Sequence, residues 1–399
     1  MKYVVMLGDG MADYPIKELN DRTPLEVAKK DTIDFIAKNG VCGMVKTVPN
    51  GMKPGSDVAN LSAMGYNPVS CYTGRSPLEA VSIGIDMKDD DVAFRCNLVT
   101  LSDEEDIRDR TMVDYSAGEI STEEAAELIK AVNEALSTDE LEFFSGISYR
   151  HCLIWHGGKT DLNLTPPHDI SDRKVTNYLP ENKLIFSLME KSRDILKDHP
   201  INKKRIEKGL NPANSIWLWG EGTKPAIGNF EKMTGLKGAV ISAVDLIKGI
   251  GICAGMEVIE VLGATGNVDT NFKGKGEAAL SALKNGNDFV YIHVEAPDEC
   301  GHRGEIENKI KSIELIDSEI VKPVMEGLKN MGEDFKIMVL PDHPTPISLK
   351  THVSDPIPFA IYDSRNNKSS DIKAYSEKEI SKSDLMFDEG YKLMSYFIG

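Results

Sequence analysis

Apolar positions along the chain fall into two alternating patterns. Short apolar runs at residues 3–7, 41–45, 216–219, 237–241, 289–294, 336–340 and 358–361 read as buried strands of one core sheet. Between them lie stretches with apolar residues at steps of three and four. The clearest covers residues 305–330, where Ile306, Ile310, Ile313, Ile316, Ile320, Val324 and Leu328 share one face and Lys, Glu and Asp fill the other. Strand and helix patterns in alternation predict an α/β fold with a largely parallel sheet flanked by helices.

One region breaks that rhythm. After the acidic run Lys88-Asp89-Asp90-Asp91 come the strand-like DVAFRCNLVTL, a helical pattern over 121–136, and the strands LEFFSG and YRHCLIW. Prolines, lysines and a polar helix over 179–209 follow. This β-α-β-β succession predicts a smaller α+β domain at 90–210, inserted into a core made of 1–89 and 211–399. There is no internal repeat and no low-complexity segment.

Composition narrows the function. Lys and Arg number 46 against 63 Asp and Glu, a formal charge of −17, and no basic run exists. A nucleic-acid surface needs clustered cations to displace counterions, so that class is set aside. An anionic substrate would need bound cations or a few arginines to overcome the acidic surface. The six cysteines form no CxxC pair and read as reduced, mostly buried thiols. The opening MKYVVMLGDGM is a first strand too short for a signal peptide, and no window of about 18 apolar residues could span a bilayer. The expectation is a cytoplasmic protein without a membrane partner; monomer and homo-oligomer both stay open.

Four segments place Asp, Ser or His directly after a strand or at a helix start, where ligands bind in open α/β sheets. In Gly8-Asp9-Gly10, Asp9 is either a cation ligand or an ordinary Asp-Gly turn. In Gly55-Ser56-Asp57, Ser56 is either a helix cap or a hydroxyl activated at a helix N-terminus. The run Ala296-Pro297-Asp298-Glu299-Cys300-Gly301-His302 puts Asp298 and His302 four apart on a tight, Gly-containing turn. In Asp342-His343, an extended backbone would point the two side chains apart, so a shared ion requires a local turn; His352 follows closely.

Taken together, Asp9, GSD at 55–57, APDECGH at 296–302, PDH at 341–343 and TH at 351–352 resemble the metal-binding signature of the alkaline phosphatase superfamily. Within it the chain is similar to the cofactor-independent phosphoglycerate mutases of the archaeal-type branch. The stretches VVMLGDGMAD, GSDVANLSAMGYNP, TGRSPLEA at 73–80 and WGEG at 219–222 carry that likeness, which spans nearly the whole chain.

The resemblance implies an alkaline phosphatase-like fold and two divalent ions, manganese most often, with zinc, cobalt or magnesium as substitutes. Asp9, Ser56, Asp342 and His343 would hold one ion, and Asp298, His302 and His352 the other. Carboxylate and imidazole together suit manganese or zinc. It further implies that Ser56 attacks phosphorus, that a phosphoserine forms, and that 2- and 3-phosphoglycerate interconvert without bisphosphoglycerate, the second domain closing as a lid. Asp169, beside His168, is the candidate for moving the proton between hydroxyls, or else lies in a polar turn. Arg95, Arg150 and Arg173 are candidates for the substrate's anionic groups, and Lys248 for a phosphate contact. Cys300 and His151, His156, His199 and His293 match no ligand and are expected to be structural. Two other readings stand beside the mutase. A homoserine kinase or phosphohydrolase would use the same site on another small molecule, and a metal-dependent phosphate-binding module would have no activity. No GxxxxGK[ST] loop is present, which disfavours a P-loop kinase.

Overall fold

In the computed structural model, which describes residues 1–366 and 371–399, the apolar runs become strands of two sheets. In chain order they are β1 (Lys2–Gly8), β2 (Val41–Val45), β3 (Asp91–Leu101), β4 (Met112–Asp114), β5 (Leu141–Phe144), β6 (Arg150–His156) and β7 (Ser215–Thr223). After them come β8 (Gly238–Ile241), β9 (Glu257–Val258), β10 (Phe289–Val294), β11 (Phe335–Leu340), β12 (Ile357–Asp363) and β13 (Met386–Phe387). The chain divides into two units, one of Met1–Tyr72 with Ala226–Gly399, the other of Thr73–Pro225.

The first unit carries the eight-stranded sheet in the order β13-β2-β12-β11-β1-β10-β8-β9. It is parallel except for β12, which runs antiparallel to β11 and β2, so the expected largely parallel sheet flanked by helices is present. All seven residues of β1 are buried, as a strand covered on both faces requires. Val4 and Met6 join Val290, Ile292 and Val294 of β10 in one core with the helices Asp31–Lys38 and Phe272–Lys284. Alternation turns Tyr3 to the other face, edge-on to Phe397 at 5.7 Å. The same alternation turns Tyr291 and His293 of β10 away from that core.

The long amphipathic pattern folds as Ile306–Leu315, a π-helical stretch Ile316–Val321, and Lys322–Met331, with Ile313, Ile316, Ile320, Val324 and Leu328 buried. In the π turn, Asp317 accepts from the backbone N–H of Ile33 at 2.6 Å and of Thr32 at 3.3 Å. It thereby satisfies donors in the first turn of a neighbouring helix that lack an intrahelical partner.

The second unit is an antiparallel sheet around β3, which pairs with β6 and β7 along its length and with β4 at its end; β5 lies beyond β6. The helices Thr122–Leu136 and Lys183–Leu196 bury Leu128, Ile129, Val132, Ile185, Leu188 and Met189 in its core. Residues 216–219, expected in the main sheet, lie instead in β7 of this unit. Periodicity marks a strand but does not say which sheet it joins, and β7 finds its register on β3, with Leu98 opposite Ile216. The six cysteines are free thiols. Among the described residues no helix is long and apolar enough to cross a membrane.

Candidate active site

Neighbouring strands of the main sheet deliver the first group of side chains. Asp9 follows β1 and Asp342 follows β11, which pair in parallel, so their carboxylates emerge side by side. Backbone N–H groups of Gly10 and His343 donate to Asp342 Oδ1 at 3.0 and 2.7 Å. The chain bends at this point, which allows Asp342 and His343 to face one site. His343 Nε2 lies 3.3 Å from Asp342 Oδ2 and 3.7 Å from Asp9 Oδ1. Gly10 sits at φ +58°, and a Cβ there would come within 2.6 Å of Asp298 Oδ1 and of Thr345 Oγ1. Only glycine lets these loops meet.

Ser56 is the first residue of the helix Ser56–Ala63, and Gly55 holds the cap position. The Ser56 hydroxyl is therefore not spent on a cap; its Oγ lies 3.3 Å from His343 Nε2. One turn later, Asn60 Nδ2 donates to Ser56 O at 2.8 Å and to Asp342 Oδ2 at 3.1 Å, while its Oδ1 accepts from Tyr291 at 2.7 Å. Helix and strand end are thus tied together through one buried amide.

The second group comes from a helix rather than the expected turn. Ala296–Arg303 is helical, with Pro297 in its first turn and Gly304 ending it at φ +74°. Four-residue spacing places Asp298 and His302 on one face, with His302 Nε2 3.2 Å from Asp298 Oδ2. His352 Nε2 lies 3.3 Å from Asp298 Oδ1 and 2.8 Å from His302 Nε2. Two imidazole nitrogens so close require a proton or a cation between them. The His343 and His352 rings approach to 4.1 Å. Asp9, Asp342 and His343 form one potential ligand group, and Asp298, His343 and His352 another, so His343 belongs to both.

The charge balance of the centre favours cations. Burial, then the carboxylates of Asp342, Asp298 and Glu295, push Asp9 well above the usual carboxylate range. Burial also acts to raise Asp298, yet hydrogen bonds from His302 and His352 hold it well below that range. The Asp298 hydrogen bond pushes His302 up to about 9, whereas burial pulls His343 down. Asp9 Oδ1 is buried without any hydrogen-bond partner. A buried carboxylate oxygen in that state calls for a positive ligand, and the mixed carboxylate and imidazole set suits a divalent ion. The residues present fit such ions at both groups.

Three further residues support the centre. His293 Nε2 lies 2.8 Å from Asp9 Oδ2, Thr345 donates its hydroxyl to Asp298 Oδ1, and Asn60 links Ser56 to Asp342. His293 had a signal in the sequence: it is the one imidazole inside the apolar strand FVYIHV. Cys300 is buried and its thiol is pushed up to about 11 by burial. That is the behaviour of a packing thiol.

The second unit gathers cations around one carboxylate. Arg75 Nε lies 2.6 Å from Glu79 Oε1, and Arg95 Nε 3.1 Å from Glu79 Oε2. The Arg95 guanidinium stacks over Trp219 at 4.6 Å, and Arg150 lies over Tyr149 at 5.4 Å. His168 packs against Trp219 with ring centres 5.3 Å apart, and burial, ahead of the effects of Asp169, Arg95 and Arg75, lowers its pKa. His168 Nε2 and Asp169 Oδ1 are 3.6 Å apart, and Asp169 is exposed. Arg95, Arg150 and His168 are therefore linked through shared aromatic and charged neighbours. Arg173 is exposed and joins no ion pair among the described residues. Lys248, in the first unit, pairs with Glu260 at 2.7 Å and Asp245 at 3.8 Å. The sequence reading did not single out Arg75 or Glu79, although their four-residue spacing across a helix start is visible there.

Comparison with known proteins agrees with this chemistry. The family described as 2,3-bisphosphoglycerate-independent phosphoglycerate mutase matches residues 37–202. A probable enzyme of that name from Geobacter sulfurreducens is 47% identical over 401 residues, covering 100% of both chains. One from Methanosarcina mazei is 51% identical over 392 residues, 96% of each. Among solved structures, a Pyrococcus horikoshii protein superposes with TM-score 0.81 at 29% identity, covering 100% of this chain and 97% of its own. The cofactor-independent phosphoglycerate mutase of Thermoplasma acidophilum gives 0.65 at 26% identity over 100% of both. Identity near one half, sustained from end to end, shows common descent, and the chain belongs to the 2,3-bisphosphoglycerate-independent phosphoglycerate mutase family.

Proposed function

We propose that this protein interconverts 2- and 3-phosphoglycerate through a phosphoserine at Ser56, without bisphosphoglycerate, as a cytoplasmic step of glycolysis and gluconeogenesis. The observation that carries the reading is the Ser56 hydroxyl at a helix start, uncapped and 3.3 Å from His343 Nε2 in the Asp9–Asp342–His343 group. Two divalent ions, manganese in our reading, held by Asp9, Ser56, Asp342 and His343 and by Asp298, His302 and His352, would neutralise phosphoryl charge and favour the serine alkoxide.

Ser56 Oγ attacks phosphorus, the bond between phosphorus and the substrate oxygen breaks, and the freed hydroxyl takes a proton. Glycerate turns, its other hydroxyl attacks the phosphoserine, and Ser56 leaves with its oxygen. Asp169 delivers the proton in the first half and receives it in the second. Asn60 holds the helix start that bears Ser56, so the nucleophile keeps its place through both halves. Arg95 and Arg150 bind the substrate's carboxylate, a task suited to planar guanidinium groups.

The test uses manganese-loaded protein and 3-phosphoglycerate, without bisphosphoglycerate or ATP, followed by phosphorus NMR. A growing 2-phosphoglycerate signal, absent with Ser56→Ala, is the expected result. Release of inorganic phosphate alone would make the protein a hydrolase. No reaction would overturn the mutase and make homoserine with ATP the next pair to try.

A further inference from the structure

Asp9 is held unevenly. Its Oδ2 lies 2.8 Å from His293 Nε2, whereas its Oδ1, equally buried, has no hydrogen-bond partner. Behind His293 stands a second contact, with Nδ1 3.1 Å from Ser242 Oγ. That hydroxyl oxygen also accepts from the backbone N–H of Val244 at 3.0 Å. The backbone of the imidazole is fixed as well, because Lys275 Nζ donates to the His293 carbonyl at 2.8 Å. His293 and Lys275 are both 0% exposed.

We infer that His293, oriented by Ser242, is a positioning residue that fixes which oxygen of Asp9 is offered to a bound cation. The direction of each hydrogen bond decides the roles. An aspartate that binds a cation is ionised, so the proton shared with His293 belongs to Nε2, and His293 donates. Nδ1 must then accept, and among the described residues the hydrogen facing it is that of the Ser242 hydroxyl. The chain of donors runs Ser242 to His293 to Asp9 Oδ2. It occupies that oxygen, locks the carboxylate plane, and leaves Oδ1 directed at the site where His343 Nε2 stands 3.7 Å away. Outer hydrogen bonds of this kind orient ligands and sharpen metal affinity. His293 is not itself a ligand here; it acts through Asp9.

This inference depends on the metal-centre reading above, and its test separates the two. Metal-free protein is titrated calorimetrically with Mn²⁺ alone, and its melting is recorded with and without the ion. Wild type is expected to bind two ions. His293→Leu should weaken one of them by about 10- to 100-fold while the metal-free melting temperature holds. His293→Gln, which keeps a donor at similar reach, should recover most of the loss. Ser242→Ala should lose affinity in the same direction, and this smaller change keeps the test valid if His293→Leu does not fold. Wild-type affinity in Ser242→Ala, and in His293→Leu if it folds, would overturn the inference and leave the metal centre standing. A wild type that binds no ion would overturn both.

Discussion

Lys309 Nζ lies 2.7 Å from Asp13 Oδ2, and neither side chain reaches solvent. The ammonium also donates to the carbonyls of Ala12 and Thr345, at 3.3 and 2.9 Å. It therefore joins the loop after β1, which bears Asp9, to the loop that bears Thr345. Breaking a buried pair from one side strands the other charge, so Lys309→Met should cost about 3–5 kcal/mol. Urea unfolding checks this, and a loss below about 1 kcal/mol would contradict it. The paired change Asp13→Leu with Lys309→Met should cost less than the single one.

Gly10→Ala should disable the centre and destabilise the fold, since a Cβ there would also lie 2.7 Å from the Asp298 Cα. An alanine at φ +58° costs about 1–2 kcal/mol, and its Cβ would displace Asp298 and Thr345. Mn²⁺ titration should show at least one ion bound about tenfold more weakly. Wild-type binding of both ions would contradict the packing described for this loop.

Arg95 has its Nε engaged by Glu79 and its plane on Trp219, while its terminal nitrogens make no hydrogen bond among the described residues. Those nitrogens are free to take a carboxylate. Arg95→Met should raise KM for phosphoglycerate about 10- to 100-fold, the loss of one charge-assisted contact, with a smaller change in kcat. Arg95→Lys should not restore KM, because an ammonium cannot stack and fork at once. An unchanged KM would remove Arg95 from the substrate site.

His151 gives the second unit a pH dependence. Burial pulls its pKa down to about 3, and its Nδ1 accepts from the Gly146 N–H at 3.0 Å. The unfolded chain protonates this imidazole near pH 6.5 and the folded one only near 3, so between those values the unfolded state binds the extra proton. Its share of stability is complete above about pH 6.5 and falls by up to ~1.4 kcal/mol per unit as pH drops toward 3. His151→Gln should flatten that slope between pH 6.5 and 5, measured by urea midpoints. An equal slope in both proteins would contradict the assignment.

The candidate ligands are legible because each stands in a short motif at a strand end or helix start: Asp9, Ser56, Asp298, Asp342. Their supports are not. Asn60, Thr345 and His293 act on partners 282, 47 and 284 residues away, and no local pattern encodes such a contact. The sequence also left open whether Ser56 caps its helix, and the structure resolves this because Gly55 takes the cap. Residues 296–303 read as a turn because of Gly301, yet Pro297 fixes a helical φ in the first turn and Gly301 packs under Thr345. Residues 216–219 read as a strand from their apolar run, but they pair with β3 rather than in the main sheet. Strand character is local, whereas sheet membership depends on which partner offers a matching register.

The position of β1 has a consequence for how the chain comes to be folded. It leaves the ribosome before the other strands described, yet its neighbours β10 and β11 are some three hundred residues downstream. Its run Tyr3-Val4-Val5-Met6-Leu7 must wait, unpaired and apolar, until those distant strands have been made. Thr73–Pro225 has no such delay, since every strand of its sheet comes from one continuous stretch. During synthesis the second unit can be complete while the first is still an open chain. The interval between them is when this protein most needs protection from aggregation.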